Sequence, residues 1–255
     1  MTIVTFVYGL VSYAVFFATF LYAIGFLGGF GVPLTVDAGG PEASTGVALL
    51  INVALLALFG LQHSVMARPA FKEAWTKVIP KSMERSTYVL LSSLILALTF
   101  WLWRPMPEVL WDVPSGPARA AIWALFGLGW VVLLISTFLI NHFELFGLQQ
   151  VWQNLRGKRT TEARFREPLF YKIVRHPLYV GWLMTFWATP TMTVGHLVFA
   201  LGASAYILVA IQFEERDLIR AHPEYAEYRR RVPMLIPGFR RATTEAPSLT
   251  ERRSF

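Results

Sequence analysis

Apolar residues fall into long blocks separated by short polar stretches, a pattern that predicts membrane-spanning helices rather than alternating strands. A helix crossing a hydrocarbon layer of roughly 30 Å needs about 20 residues. Ile3 to Phe30, Gly46 to Leu61, Tyr88 to Trp103 and Ala120 to Ile140 read as four spans, and Trp101 and Trp103 stand where an interfacial aromatic belt is expected. The first block is too long for the apolar part of a signal peptide and has no Lys or Arg before it, so it reads as a retained span. The last apolar region, Leu178 to Phe213, is broken by the turn-forming stretch from Pro190 to Gly195. That break predicts a helical hairpin whose first arm is short for a crossing. The expected fold is therefore an all-α integral membrane protein of about five to six transmembrane helices, forming one domain over residues 1–239. The mixed Thr, Glu, Pro, Ser and Arg composition of 240–255 predicts a disordered tail.

Composition agrees with this reading. Of 255 residues 55% are hydrophobic and only 15% charged, against about 25% charged in soluble domains. All of the 23 Lys and Arg except Arg104 and Arg119 lie in 62–87, 141–177 or after Glu214. By the positive-inside rule these three regions face the cytoplasm, as do both termini. Topology accounts for the basic charge, so no nucleic-acid partner is implied. The absence of cysteine excludes disulfides, thiolate metal sites and thiol nucleophiles. Neither a GxGxxG nor a GxxxxGK[ST] run occurs, so a soluble nucleotide-binding fold is not encoded.

The polar and unusual residues gather on the predicted cytoplasmic side. Tyr171, Lys172, Arg175, His176, Pro177, Leu178 and Tyr179 bring cations, an imidazole and two phenols to the mouth of the hairpin. Pro177 suits the first turn of a helix, which places His176 beside free backbone donors that favour an anion. The same residues also read as an interfacial anchor, through snorkelling Arg and interfacial Tyr. At the hairpin's exit Glu214 and Glu215 follow an apolar run, a costly position unless they are paired or liganded. They point about 100° apart on a helix and so serve different partners. The alternative is a solvated helix end in which they pair with Arg216, Lys172 or Arg175. His63, His142 and His176 fall near one membrane face, but no paired-ligand spacing accompanies them, so no metal site is expected.

The run Arg175-His176-Pro177-Leu178-Tyr179-Val180-Gly181, a hairpin, then Glu214-Glu215, Tyr225, Tyr228 and Arg231-Val232-Pro233 resemble the C-terminal signature of the isoprenylcysteine carboxyl methyltransferase superfamily. Leu61-Gln62-His63-Ser64, Glu84-Arg85-Ser86-Thr87-Tyr88 and Asn141-His142-Phe143-Glu144 resemble a narrower group, the bacterial methanethiol S-methyltransferases and their NnrU-like relatives. The resemblance implies methyl transfer from S-adenosylmethionine to the small volatile thiol methanethiol, giving dimethyl sulfide. It implies a cofactor-binding part within about 141–239. The implied contacts are Tyr171, Arg175, His176, Pro177, Leu178, Tyr179 and Glu214, with Arg164, Phe165 and Arg166 near the cofactor and Gln149 or Gln150 replacing a superfamily glutamine. The superfamily's substrate-binding arginine falls at Ala210, which argues against a prenylcysteine acceptor. His63 or His142 is the expected base for the thiol proton. The rival readings are another acceptor, such as a different thiol or a phospholipid amine, and a non-catalytic haem- or small-molecule-binding membrane protein of nitrogen-oxide metabolism.

Overall fold

The computed structural model describes residues 2–158 and 166–238. Arg164, Phe165 and the tail from 240 lie outside the described residues. Five helices are long and apolar enough to cross a membrane. They are α1 (Thr2–Gly28), α2 (Thr45–Ala67), α4 (Lys81–Leu102), α5 (Pro117–Ile140) and α9 (Val194–Ala221), with the short α3 (Pro69–Trp75) after α2. Two short helices, α6 (His142–Leu145) and α7 (Leu148–Leu155), follow α5. The hairpin consists of α8 (Pro177–Trp187) and α9, and α10 (Tyr225–Arg231) ends the described chain. The protein is a multi-pass membrane protein. At 11 residues α8 is too short to span the layer.

Several elements extend beyond the apolar runs that mark them, among them α9, which continues past Phe213 to Ala221. α2 continues past Leu61 to Ala67 because Gln62 and His63 find hydrogen-bond partners on α4, so their polarity does not end the helix. α4 begins at Lys81 rather than Tyr88, since Ser86 and Thr87 on its first turns pack against Gly147 and the Tyr8 hydroxyl. The structure also adds a small antiparallel ribbon to the helical architecture: β1 (Val109–Asp112) pairs with β2 (Thr191–Thr193). β2 occupies the hairpin turn, and Arg119 holds the ribbon through Asp112 and Thr191.

The six helices α1, α4, α2, α9, α8 and α5 pack successively into a closed bundle, with Phe20 on α1 meeting Trp130 on α5. Near the ribbon end the centre is filled by Phe26, Phe100, Trp103 and Phe199, all buried. Lys- and Arg-rich segments and the histidines of interest stand at the opposite end, where the core is polar. At the α5–α8 contact backbone meets backbone: a Cβ added at Gly181 would lie 2.8 Å from the Gly129 carbonyl oxygen and from the Leu133 nitrogen. Backbone cannot yield as a side chain can, so Gly181→Val must push α8 off α5. Overpacking of this kind costs about 1–3 kcal/mol. The variant is expected to lower the thermal midpoint in detergent, whereas Gly127→Val, where the added Cβ meets open space, leaves it unchanged.

Candidate active site

The hairpin mouth is built around two carboxylates one residue apart on α9. Glu215 is buried, 1% exposed, and accepts from Arg175 Nε at 2.7 Å, while Arg229 Nε lies 2.9 Å from its other oxygen. His176 Nε2 stands 3.1 Å from Glu215 Oε1. Arg175 Nη1 also donates to the carbonyls of Arg229 and Val232, and the chain at 175–176 is hydrogen-bonded to the carbonyls of Pro233 and Met234. One buried charge thus fastens α9 to the start of α8 and to the segment after α10. His176 precedes Pro177, the first residue of α8, as the spacing predicts.

Glu214 turns to a different set of groups. Its Oε2 accepts from the Tyr179 hydroxyl at 2.9 Å, and among the described residues its Oε1 has no hydrogen-bond partner. Tyr171, Tyr179, Tyr88 and Tyr206 are all close enough to Glu214 to interact with it electrostatically. Burial first, and the Glu214 carboxylate second, push the Tyr171 phenol above its ordinary pKa, so it stays a neutral hydrogen-bond donor. A half-buried carboxylate facing several phenols is a cradle for a cation and for hydroxyl donors. Glu215 does pair with Arg175, as the alternative reading had it, but buried rather than at a solvated helix end, while Glu214 turns to the phenols.

The two expected bases occupy different environments. His63 Nε2 is 2.7 Å from the Tyr88 hydroxyl and Nδ1 is 3.2 Å from Ser92 Oγ. Its ring stacks on Phe59 and meets Tyr206 edge-on, with centroids 6.1 Å apart. It therefore borders the phenols that surround Glu214. His142 lies in an aromatic pocket of α1, α5 and α6, stacked on Phe138 at 4.3 Å, with Nε2 on the Tyr13 hydroxyl and Nδ1 on Thr137 Oγ1, each at 2.8 Å. Burial lowers its pKa. Phe16 and Phe146 separate this pocket from the cluster of Met66, Tyr88 and Val89.

The remaining expected residues are less concentrated. Gln149 accepts from Asn141 and Gln150 donates to the Glu144 carbonyl, which ties both to the α6–α7 corner. The Gln150 side-chain oxygen is nevertheless buried with no partner among the described residues. Arg166 is exposed, and Leu178 is half-buried beside the buried Pro177. No group of three or more His, Asp and Glu that could hold a metal occurs among the described residues. Reading the sequence alone missed Ser92, Tyr206 and Arg229. A polar residue inside an apolar span was the available signal for Ser92, but nothing local marks which helix it faces.

The chain is similar to several known proteins. The methanethiol S-methyltransferase of Mycobacterium tuberculosis is 55% identical over 240 residues, covering 94% of this chain and 98% of its own. Methanethiol S-methyltransferase 2 of Bradyrhizobium diazoefficiens is 55% identical over 247 residues, covering 94% and 93%. Nurim of Sus scrofa is a more distant relative, 29% identical over 208 residues, or 74% of this chain and 78% of its own. No solved structure gave a significant match. The family model described as NnrU protein matches residues 51–236, which include both glutamates, His63 and the whole hairpin, and the chain belongs to that family.

Proposed function

We propose that this protein transfers a methyl group from S-adenosylmethionine to methanethiol, forming dimethyl sulfide at the basic end of the bundle. The observation that carries the proposal is the half-buried Glu214 carboxylate, held by Tyr179 and faced by the phenols of Tyr171, Tyr88 and Tyr206. The names of the relatives at 55% identity supply the acceptor. The basic residues support a site on the cytoplasmic side of the inner membrane, with both termini inside.

The donor set fits the methyl donor. Glu214 has an oxygen free to accept from a ribose hydroxyl or an ammonium group, and aromatic faces suit a sulfonium. Glu214, Tyr179, Tyr171 and the chain at His176, Pro177 and Leu178 would hold it, with Arg166 and the buried oxygen of Gln150 as further contacts. When bound, S-adenosylmethionine supplies an electrophilic methyl on a positively charged sulfur. Arg175 serves in our reading mainly as the anchor of Glu215, because its Nε and Nη1 are committed there and to backbone carbonyls. Enclosing the thiol among Phe59, His63, Tyr88 and Tyr206 excludes water from a displacement in which opposite charges cancel.

Equilibrium dialysis of the purified protein in lipid nanodiscs with labelled S-adenosylmethionine tests this directly. Saturable binding, displaced by S-adenosylhomocysteine, is expected. Absence of binding by folded protein would overturn the proposal.

A further inference from the structure

The two nitrogens of His63 are both engaged, so a thiol cannot reach the imidazole directly. What lies between His63 and the cluster around Glu214 is the Tyr88 hydroxyl, 2.7 Å from Nε2. Ser92 Oγ accepts from the Gln62 amide at 3.3 Å and sits 3.2 Å from His63 Nδ1. An imidazole that keeps its proton on Nδ1, toward Ser92, presents its Nε2 lone pair to the phenol.

Resting on the methyltransfer reading above, we infer that Tyr88 and His63 form a proton relay: Tyr88 takes the thiol proton while passing its own to His63, with Ser92 and Gln62 fixing the imidazole. The balance is simple. The S–H proton goes to Tyr88 Oη, and the original Tyr88 proton goes to His63 Nε2. The sulfur lone pair then forms the new C–S bond, and the electrons of the broken C–S bond stay on the departing thioether. The imidazolium returns its proton through the same phenol to water once the products leave. Such help is needed because a model thiol has a pKa of about 8.5 and a simple alkyl thiol a higher one.

The surrounding charges suit a transient imidazolium. Arg85 on α4 lies over the Tyr88 ring, 5.7 Å from its centroid, and Arg68 stands at the end of α2. Arg85 favours a thiolate and opposes a lasting charge on His63. From α9, Glu214 and Tyr206 face the phenol, and Tyr179 faces it from α8. At the phenol Glu214 opposes Arg85, while Arg68 is ion-paired with Asp217 of α9 at 2.8 Å.

The test compares two acceptors in purified protein: methanethiol and 2,2,2-trifluoroethanethiol, a small thiol that its fluorines acidify. Tyr88→Phe and His63→Gln are each expected to lower kcat for methanethiol at pH 7 about 10²-fold, the scale of general-base catalysis. The loss should shrink as pH rises toward 10 and be far smaller for the fluorinated thiol. Calorimetric binding of S-adenosylhomocysteine should stay within a few-fold of wild type. Ser92→Ala, a milder change, should show the same trend with a smaller loss. Equal losses for both acceptors at every pH would overturn the relay and leave the methyltransfer reading intact. Wild-type protein that methylates neither thiol would overturn that reading, and the relay with it.

Discussion

Glu215→Ala is expected to be the most destabilising single change at the site. The substitution leaves the Arg175 guanidinium, whose side chain is 9% exposed, without its carboxylate. It also strips an acceptor from His176 and an ion-pair partner from Arg229. Removing one partner of a buried ion pair costs about 3–5 kcal/mol, because the surviving charge stays desolvated. Arg229 is half exposed and will be rescued by water, so most of the loss comes from Arg175. The damage extends to the architecture, since Arg175 also caps the carbonyls of Arg229 and Val232 and thereby holds the segment after α10 against α8. Thermal unfolding in detergent should show a clear fall in midpoint. Glu215→Gln, which keeps the shape and an acceptor oxygen, should recover part of it. A midpoint unchanged in Glu215→Ala would show that the clamp contributes nothing to stability.

This clamp was only half legible in the sequence. Adjacent carboxylates after an apolar run signalled that at least one was paired, and the helical angle between them signalled two partners. Arg229 was invisible as a partner because it reads as one of three consecutive arginines on a basic helix, and only the turn at Pro223 brings it back over α9. The spans were legible because hydrocarbon thickness sets a length that composition reveals. Their ends were not, since Gln62, His63, Ser86 and Thr87 are polar residues whose partners lie on other helices. The β1–β2 ribbon escaped notice for a related reason: its strands are separated by the whole of α5 and α8, so no local hairpin pattern exists. His63 was visible as a candidate base, but its position behind Tyr88 depends on two helices crossing at one depth.

Glu214→Ala tests function rather than stability. Glu214 makes one hydrogen bond with the chain, from Tyr179, and is not in the Glu215 clamp, so the variant should fold and reach the membrane. What it loses is the charge offered to a cationic donor. A hydrogen bond to a charged group contributes about 1.5–3 kcal/mol, and the attraction for a sulfonium adds to it. A factor of ten per 1.36 kcal/mol turns this into about a 10²-fold loss of kcat/KM. Tyr179→Phe should show a smaller loss, since it frees the carboxylate without removing it.

The most direct measurement is headspace gas chromatography over cells that express the protein and are fed methanethiol, with Glu214→Ala at matched membrane levels. Dimethyl sulfide from wild type, reduced to a few per cent or less in the variant, is the predicted result. No dimethyl sulfide from membrane-inserted wild type, or equal amounts from both proteins, would contradict the account.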